Sequence, residues 1–274
     1  MTQGNRRLIP DGLDATLVLV RHGESGLLAE GRFQGQAESP LTGIGRFQAE
    51  LTGLRLAAPL AAPALPVPVG PPLELVHSPL GRASETAVAI EAAMTATGTS
   101  TVRRPDRGFL EIGQGDWQGL HRTEIADRYH AELAGWRRAP LEHWAPGGES
   151  LDDIAVRVRP SLEAILDRLA DGRPPGSHDR PQVPGHGDAP ADHRWSVVVA
   201  HDGVFKVALL TLFDLPLERF WMWTMDLCGI TVVELRAARP VLRLYNSTAH
   251  LAAIASGPAR SEAEAEARRR SGAL

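Results

Sequence analysis

The apolar run Thr16-Leu17-Val18-Leu19-Val20 is followed without a spacer by Arg21-His22-Gly23-Glu24-Ser25. A short aliphatic, β-branched run closed by turn formers reads as a buried strand. Two later segments repeat the arrangement. Leu73-Glu74-Leu75-Val76-His77 gives way to Ser78-Pro79-Leu80-Gly81-Arg82-Ala83, and Trp195-Ser196-Val197-Val198-Val199-Ala200 to His201-Asp202-Gly203. Residues at helical spacing follow the second run (Leu80, Ala83, Ala87, Ile90, Met94), and Val204 to Phe213 reads as a helix after the third. Strands alternating with helices predict an α/β fold. Such sheets bind ligands beyond the carboxyl ends of their strands. There the chain delivers two arginines and two histidines: Arg21, His22, Arg82 and His201.

These residue types suit phosphoryl chemistry. A histidine beside a fixed positive charge resists protonation, which keeps its imidazole neutral and nucleophilic at neutral pH. An arginine can hold two oxygens of a phosphoryl group at once. Ser78 reads as a helix N-cap and Pro79 as the first helical residue. That puts Arg82 near a helix start, where anions are favoured. Singly, Arg82 or Glu111 is an ordinary charge; the order of the blocks gives them weight.

In that order the chain resembles the histidine phosphatases, the phosphoglycerate mutase-like superfamily. The resemblance rests on Leu19 to Ser25, on Gly31-Arg32-Phe33-Gln34-Gly35 with Ser39-Pro40-Leu41-Thr42, and on Ser78-Pro79-Leu80 with Arg82-Ala83 and Thr86-Ala87. It continues through Leu110-Glu111-Ile112 with Gly115-Asp116-Trp117-Gln118-Gly119, through Pro146 to Ser150 with Asp153 and Arg157, and through Val199-Ala200-His201. It implies a three-layer sandwich, a mostly parallel central sheet flanked by helices. It also implies that His22 attacks phosphorus and forms a phosphohistidine, while Arg21, Arg82 and His201 surround the equatorial oxygens. Glu111 would protonate the leaving alkoxide and then activate water. The first task needs a protonated carboxyl, which an apolar setting beside Leu110, Ile112 and Trp117 would favour. Gln34 matches a phosphate-contacting position, and Ser25, Gly35 and Asp202 are further candidate substrate contacts. No metal or cofactor is expected, because arginine and histidine carry the positive charge. Two positions depart from the family pattern. Leu28 stands where an asparagine is frequent, and Asp202 where glycine is usual. A carboxylate at 202 would repel a phosphate if it pointed inward, so it is expected to turn outward, cap the next helix or read a polar substrate group.

The 274 residues fit one large α/β domain over 1–256, with a Pro/Gly/Asp-rich insertion at 172–194 and a charged tail at 257–274. His178, His186 and His193 fall in that insertion, at spacings that match no zinc pattern. The remaining histidines, His77, His121, His130, His143 and His250, read as surface or core residues. A net charge of −4 and a pI near 6.2 give no pull towards nucleic acid or anionic membranes. No run reaches transmembrane length or forms a signal peptide. Cys228 is the sole cysteine, which excludes an intrachain disulfide and suits a reducing, cytoplasmic setting. Lys206 is the sole lysine. Thr42 is a cap for a helix whose Ile44, Phe47, Leu51 and Leu54 form an apolar stripe of the kind that faces a core. Residues 57–72 read as a linker. Ser150 and Asp153 form a capping pair ahead of one apolar face (Leu151, Ile154, Val158, Leu162, Ile165, Leu169), which Pro160 should kink or divide. Gly229–Leu235 and Val241–Tyr245 read as two further strands.

Three functions fit. One is a phosphomonoesterase acting on a small phosphorylated metabolite, with a homodimer compatible with the sequence. Another is a mutase, which must keep the phosphoenzyme dry; such family members carry a longer insertion than the Leu120–Ala145 segment here. A third is a phospho-ligand binding module. Specificity would come from Leu27–Glu38, Gln118–Ala145 and Asn246–His250. Arg122, Arg128, Trp136, Arg137 and Arg138 of the middle segment read first as a solvated helix face.

Overall fold

The run at 16–20 is the centre of strand β1 (Ala15–Arg21), every residue of which is buried. The computed structural model describes residues 7–68, 70–171 and 193–252. The tail at 257–274, and the insertion at 172–194 with His178 and His186 but without residues 193 and 194, lie outside the described residues. After β1 come α1 (Gly26–Ala29), α2 (Gly43–Ala57), β2 (Leu75–His77), α3 (Gly81–Ala96) and β3 (Arg103–Pro105). Then follow α4 (Arg122–Arg128), α5 (His130–Arg138), α6 (Leu151–Ala170), β4 (Trp195–Ala200), α7 (Asp202–Leu212), β5 (Ile230–Arg236) and β6 (Arg239–Ser247).

The strands form one sheet in the order β3-β2-β4-β1-β5-β6. β3, β2, β4 and β1 run parallel, β5 is antiparallel to β1, and β6 is antiparallel to β5. Side chains alternate across a strand, and here the alternation separates two cores. Leu17, Leu19, Val198 and Ala200 pack with α6 and α7 on one face, while Val18, Val20, Val197 and Val199 pack with α3 and the end of α2 on the other. The result is the expected three-layer α/β sandwich with a mostly parallel sheet. Among the described residues no helix is long and apolar enough to cross a membrane.

Several local expectations are corrected. The apolar stripe of α2 faces outward: Ile44, Phe47 and Leu54 are 40%, 43% and 59% exposed. Its packed side is Gly45, Gln48, Ala49, Thr52, Gly53 and Leu56. Small residues win this face because α3 lies so close that a Cβ on Gly53 would sit 2.8 Å from the Ala89 carbonyl oxygen. Helix α3 begins at Gly81, with Leu80 as its cap residue, not at Pro79. Ser78 lies ahead of that cap: its hydroxyl is bonded to His201 Nε2 at 2.8 Å and accepts the Leu80 N–H at 3.4 Å. Pro160 does not divide α6, which runs through it as one helix of 20 residues. The capping box of Ser150 and Asp153 at its start is formed as expected, and Thr42 caps α2 by accepting the Gly45 N–H at 3.0 Å.

Candidate active site

The parallel register brings the site together. Arg21 is paired with Ala200, and His77 with Val199. The next residues, His22, His201 and Ser78, therefore emerge side by side at the carboxyl edge of the sheet. All are buried, as are Arg21 and Arg82. The turn after β1 is kept tight by a close approach of α2: a Cβ on Gly23 would collide with the Gly45 carbonyl oxygen.

His22 Nδ1 donates to its neighbour's carbonyl, Gly23 O, at 2.7 Å, which leaves Nε2 as the ring's acceptor. Arg82 Nε donates to that Nε2 at 3.3 Å. Burial, then the Arg82 and Arg21 guanidinium groups, hold the His22 pKa well below its usual 6.5. His201 is held well below the same value by burial first, with Arg82 the largest of the charges acting on it. The two rings sit edge to face, their centroids 5.0 Å apart. Both imidazoles are thus neutral at pH 7.

Arg82 is fixed by the segment after α1. Its Nη1 donates to Ala37 O at 3.0 Å and its Nη2 to Gly35 O at 2.7 Å. Gly35 has φ +50°, and a Cβ there would lie 2.5 Å from Gln118 Oε1, so no larger residue could present that carbonyl. Burial pulls the Arg82 pKa down to about 10, with Glu111 and Glu38 opposing the shift. It remains charged at neutral pH. Arg21 Nη1 donates to Met225 O at 2.5 Å, while Arg21 Nε and His201 Nδ1 are buried without a partner among the described residues.

Glu111 sits against the first turn of α7. Its Oε1 accepts the N–H groups of Ile112 at 2.9 Å and Val204 at 3.1 Å, and its Oε2 that of Gly203 at 3.3 Å. The expected apolar setting is therefore replaced by a polar one, in which a helix N-terminus faces the carboxyl group. Gln34 and Ser25 meet each other: the Ser25 hydroxyl donates to Gln34 Oε1 at 2.6 Å. The Asp202 carboxylate is directed to Lys206 and to the Met225 N–H rather than to the site centre.

Two main-chain contributors carried no sequence signal of their own. The Met225 carbonyl orients Arg21, and the Cys228 N–H donates to the carbonyls of Arg21 at 3.1 Å and His22 at 3.3 Å. Thr86 accepts the Gly23 N–H at 3.1 Å. The Cys228 thiol is buried, which pushes its pKa up to about 12. Two of the segments named for specificity bond to each other: Phe33 N–H donates to Leu120 O at 3.0 Å and Gln36 N–H to Gln118 Oε1 at 2.7 Å. Trp136 is buried against Phe220 and Trp221, while Arg137 and Arg138 are exposed.

An open α/β sheet whose carboxyl edge gathers two neutral imidazoles, two buried guanidinium groups and a carboxylate belongs to the proteins that handle phosphoryl groups. The family model for the histidine phosphatase superfamily (branch 1) matches residues 17–173 and 185–248, and the chain belongs to that superfamily. Phosphoserine phosphatase 1 of Hydrogenobacter thermophilus is 29% identical over 235 residues, covering 86% of this chain and 93% of that protein. Glucosyl-3-phosphoglycerate phosphatase of Mycobacterium tuberculosis is 34% identical over 210 residues, covering 74% of this chain and 78% of its own. The structure of the mycobacterial glucosyl-3-phosphoglycerate phosphatase with VO3 superposes with a TM-score of 0.66 at 28% identity, over 85% of this chain and 99% of that one. This chain is a phosphatase of the histidine phosphatase family.

Proposed function

We propose that this phosphatase is a metal-independent phosphomonoesterase that acts on a small phosphorylated metabolite through a phosphohistidine at His22. The observation that carries the reading is the state of that ring. Nδ1 is tied to Gly23 O at 2.7 Å, and burial with two guanidinium groups keeps the imidazole neutral, so Nε2 holds a lone pair next to Arg82.

In the first step Nε2 attacks phosphorus and the ester oxygen leaves, taking a proton from Glu111. Arg21, Arg82 and His201 stabilise the charge on the three equatorial oxygens. The Ser78 hydroxyl lies 2.8 Å from His201 Nε2; with the hydroxyl donating, the ring proton sits on Nδ1, the nitrogen left to face the phosphoryl group. In the second step Glu111 takes a proton from water, the hydroxide attacks phosphorus, and inorganic phosphate departs with His22 restored. Gly35 supports this arrangement by the carbonyl that fixes Arg82, and the bonded pair Ser25 and Gln34 supplies further substrate contacts. The names of the two relatives support small phosphorylated metabolites as the substrate class.

The test is hydrolysis of a generic aryl phosphate in excess chelator by wild type, His22→Ala and Glu111→Gln. Turnover that survives chelation, disappears in His22→Ala and falls by about 100-fold or more in Glu111→Gln is expected. Turnover abolished by the chelator, or retained in His22→Ala, overturns the reading.

A further inference from the structure

We infer that Asp202 and Lys206 are positioning residues for the phosphoryl contact of Arg21, acting through the loop at 224–228. The inference rests on the phosphatase reading above. Lys206 is the sole lysine of the chain. Its side chain is buried, and its Nζ is bonded to Asp202 Oδ2 at 2.7 Å while lying 5.2 Å from the ring centres of both Phe220 and Trp221. An ammonium group removed from water has to be compensated, and here a carboxylate and two aromatic faces do so. The other carboxylate oxygen, Asp202 Oδ1, accepts the Met225 N–H at 3.1 Å. The Met225 carbonyl in turn accepts from Arg21 Nη1 at 2.5 Å. A continuous path therefore runs from Lys206 through Asp202 and the backbone of Met225 to the guanidinium beside His22.

The rest of the loop is tied as firmly. Tyr245 Oη accepts the Thr224 N–H at 2.5 Å, and the Asn246 side chain accepts the Asp226 N–H at 2.7 Å. The Cys228 N–H returns to the carbonyls of Arg21 and His22 at 3.1 and 3.3 Å. With Nη1 committed to a protein carbonyl, the plane of the Arg21 guanidinium is set. Its Nε, buried and unpartnered among the described residues, is a donor available to a phosphoryl oxygen. This also accounts for the aspartate at 202. Both of its oxygens are engaged by protein donors, so its charge is compensated by Lys206 and directed away from the phosphoryl group, and it does not read the substrate.

The test is a double-mutant cycle on inorganic phosphate binding, read by calorimetry, with kcat/KM on an aryl phosphate alongside and thermal unfolding to show that each variant is folded. Asp202→Asn is expected to weaken phosphate binding and lower kcat/KM together, by between about tenfold and about 100-fold. In an Arg21→Ala background the same change should add nothing, since the path then ends on no guanidinium. Lys206→Met, which leaves the Asp202 to Met225 bond in place, should move both quantities in the same direction by less, and carries the test alone if Asp202→Asn does not fold. Equal losses in both backgrounds overturn the inference, as does a folded variant with the wild-type phosphate affinity. An unchanged phosphate affinity with a changed KM for larger esters would make Asp202 a substrate contact and also overturn it. A wild type without turnover whose phosphate affinity still follows the cycle would sink the phosphatase reading alone; one that binds no phosphate sinks both.

Discussion

At the scale of single residues, the site depends on backbone groups as much as on side chains. Glu111 is held by three N–H groups, two of them from the first turn of α7. That turn can approach because residue 203 is glycine: a Cβ there would lie 2.5 Å from Ile112 Cδ1 and 2.7 Å from Glu111 Oε1. Gly203→Ala must therefore displace the carboxyl group or its neighbour. Turnover should fall by about 100-fold, while phosphate affinity, set by the guanidinium groups, stays near the wild-type value. Stopped-flow or steady-state kinetics paired with phosphate titration reads the split, and an equal loss in both would contradict it. The identities of Arg21, His22, Arg82, Glu111 and His201 were legible in the sequence because their motifs lie at strand ends in a fixed order. The setting of Glu111 was not. Its donors are main-chain N–H groups, and the adjacent Leu110, Ile112 and Trp117 gave a misleading impression of an apolar pocket. The Met225 carbonyl was equally hidden, since any residue type supplies one.

At the scale of elements, α6 is the support for the acid-bearing loop. Its capping box fixes where the helix starts, and about two turns later Arg157 donates to the carbonyls of Gly108 and Leu110 at 2.8 and 2.9 Å and of Glu111 at 2.9 Å. Glu149 completes the clamp by pairing with Arg157 at 2.8 Å and accepting the Gly113 N–H at 2.7 Å. Ser150→Ala removes the cap and should destabilise the protein by about 1 kcal/mol in chemical denaturation. Arg157→Met should remove the Arg157 donor from the Gly108 and Leu110 carbonyls and leave the Glu111 carbonyl with Gln36 alone, lowering kcat more than it alters KM; a kcat equal to wild type would refute the clamp. The apolar face and cap of α6 were readable because they obey local rules. The buried face of α2 was not, since close approach to the Glu24 backbone requires Gly45, close approach to α3 requires Gly53, and the larger Ile44, Phe47 and Leu54 are left outside. Likewise Ser78 and Pro79 mimic a helix start, but the helix begins at Gly81, and the serine hydroxyl bridges Leu80 N–H and a tertiary partner, His201. Strand β3 has three exposed residues and no apolar pattern to betray it.

For the whole molecule, building a phosphoryl site at the buried edge of a sheet has a consequence for stability. His22 and His201 are buried neutral in the folded protein, each with a pKa held well below 6.5 chiefly by burial. His250 behaves alike, brought down to about 4 by burial and then by Arg55. In the unfolded chain each would titrate near its usual value of about 6.5. Above that pH neither state binds the proton and the histidines are neutral in their effect. As pH falls below it, the unfolded chain takes up protons that the folded protein refuses, so stability declines until the folded values are reached. Each histidine contributes a slope of up to about 1.4 kcal/mol per pH unit in that window. For His250 the window closes near pH 4. Acid lability should therefore set in just below neutrality, ahead of the range in which carboxylates titrate. Urea unfolding between about pH 7.5 and about pH 5.5 should show a falling free energy over the lower half of that interval. His22→Gln should reduce the slope by one histidine's share while removing turnover. A free energy of unfolding that stays level across the interval would mean that the rings take up protons in the folded protein as readily as in the unfolded chain, so that burial would not be what holds them neutral.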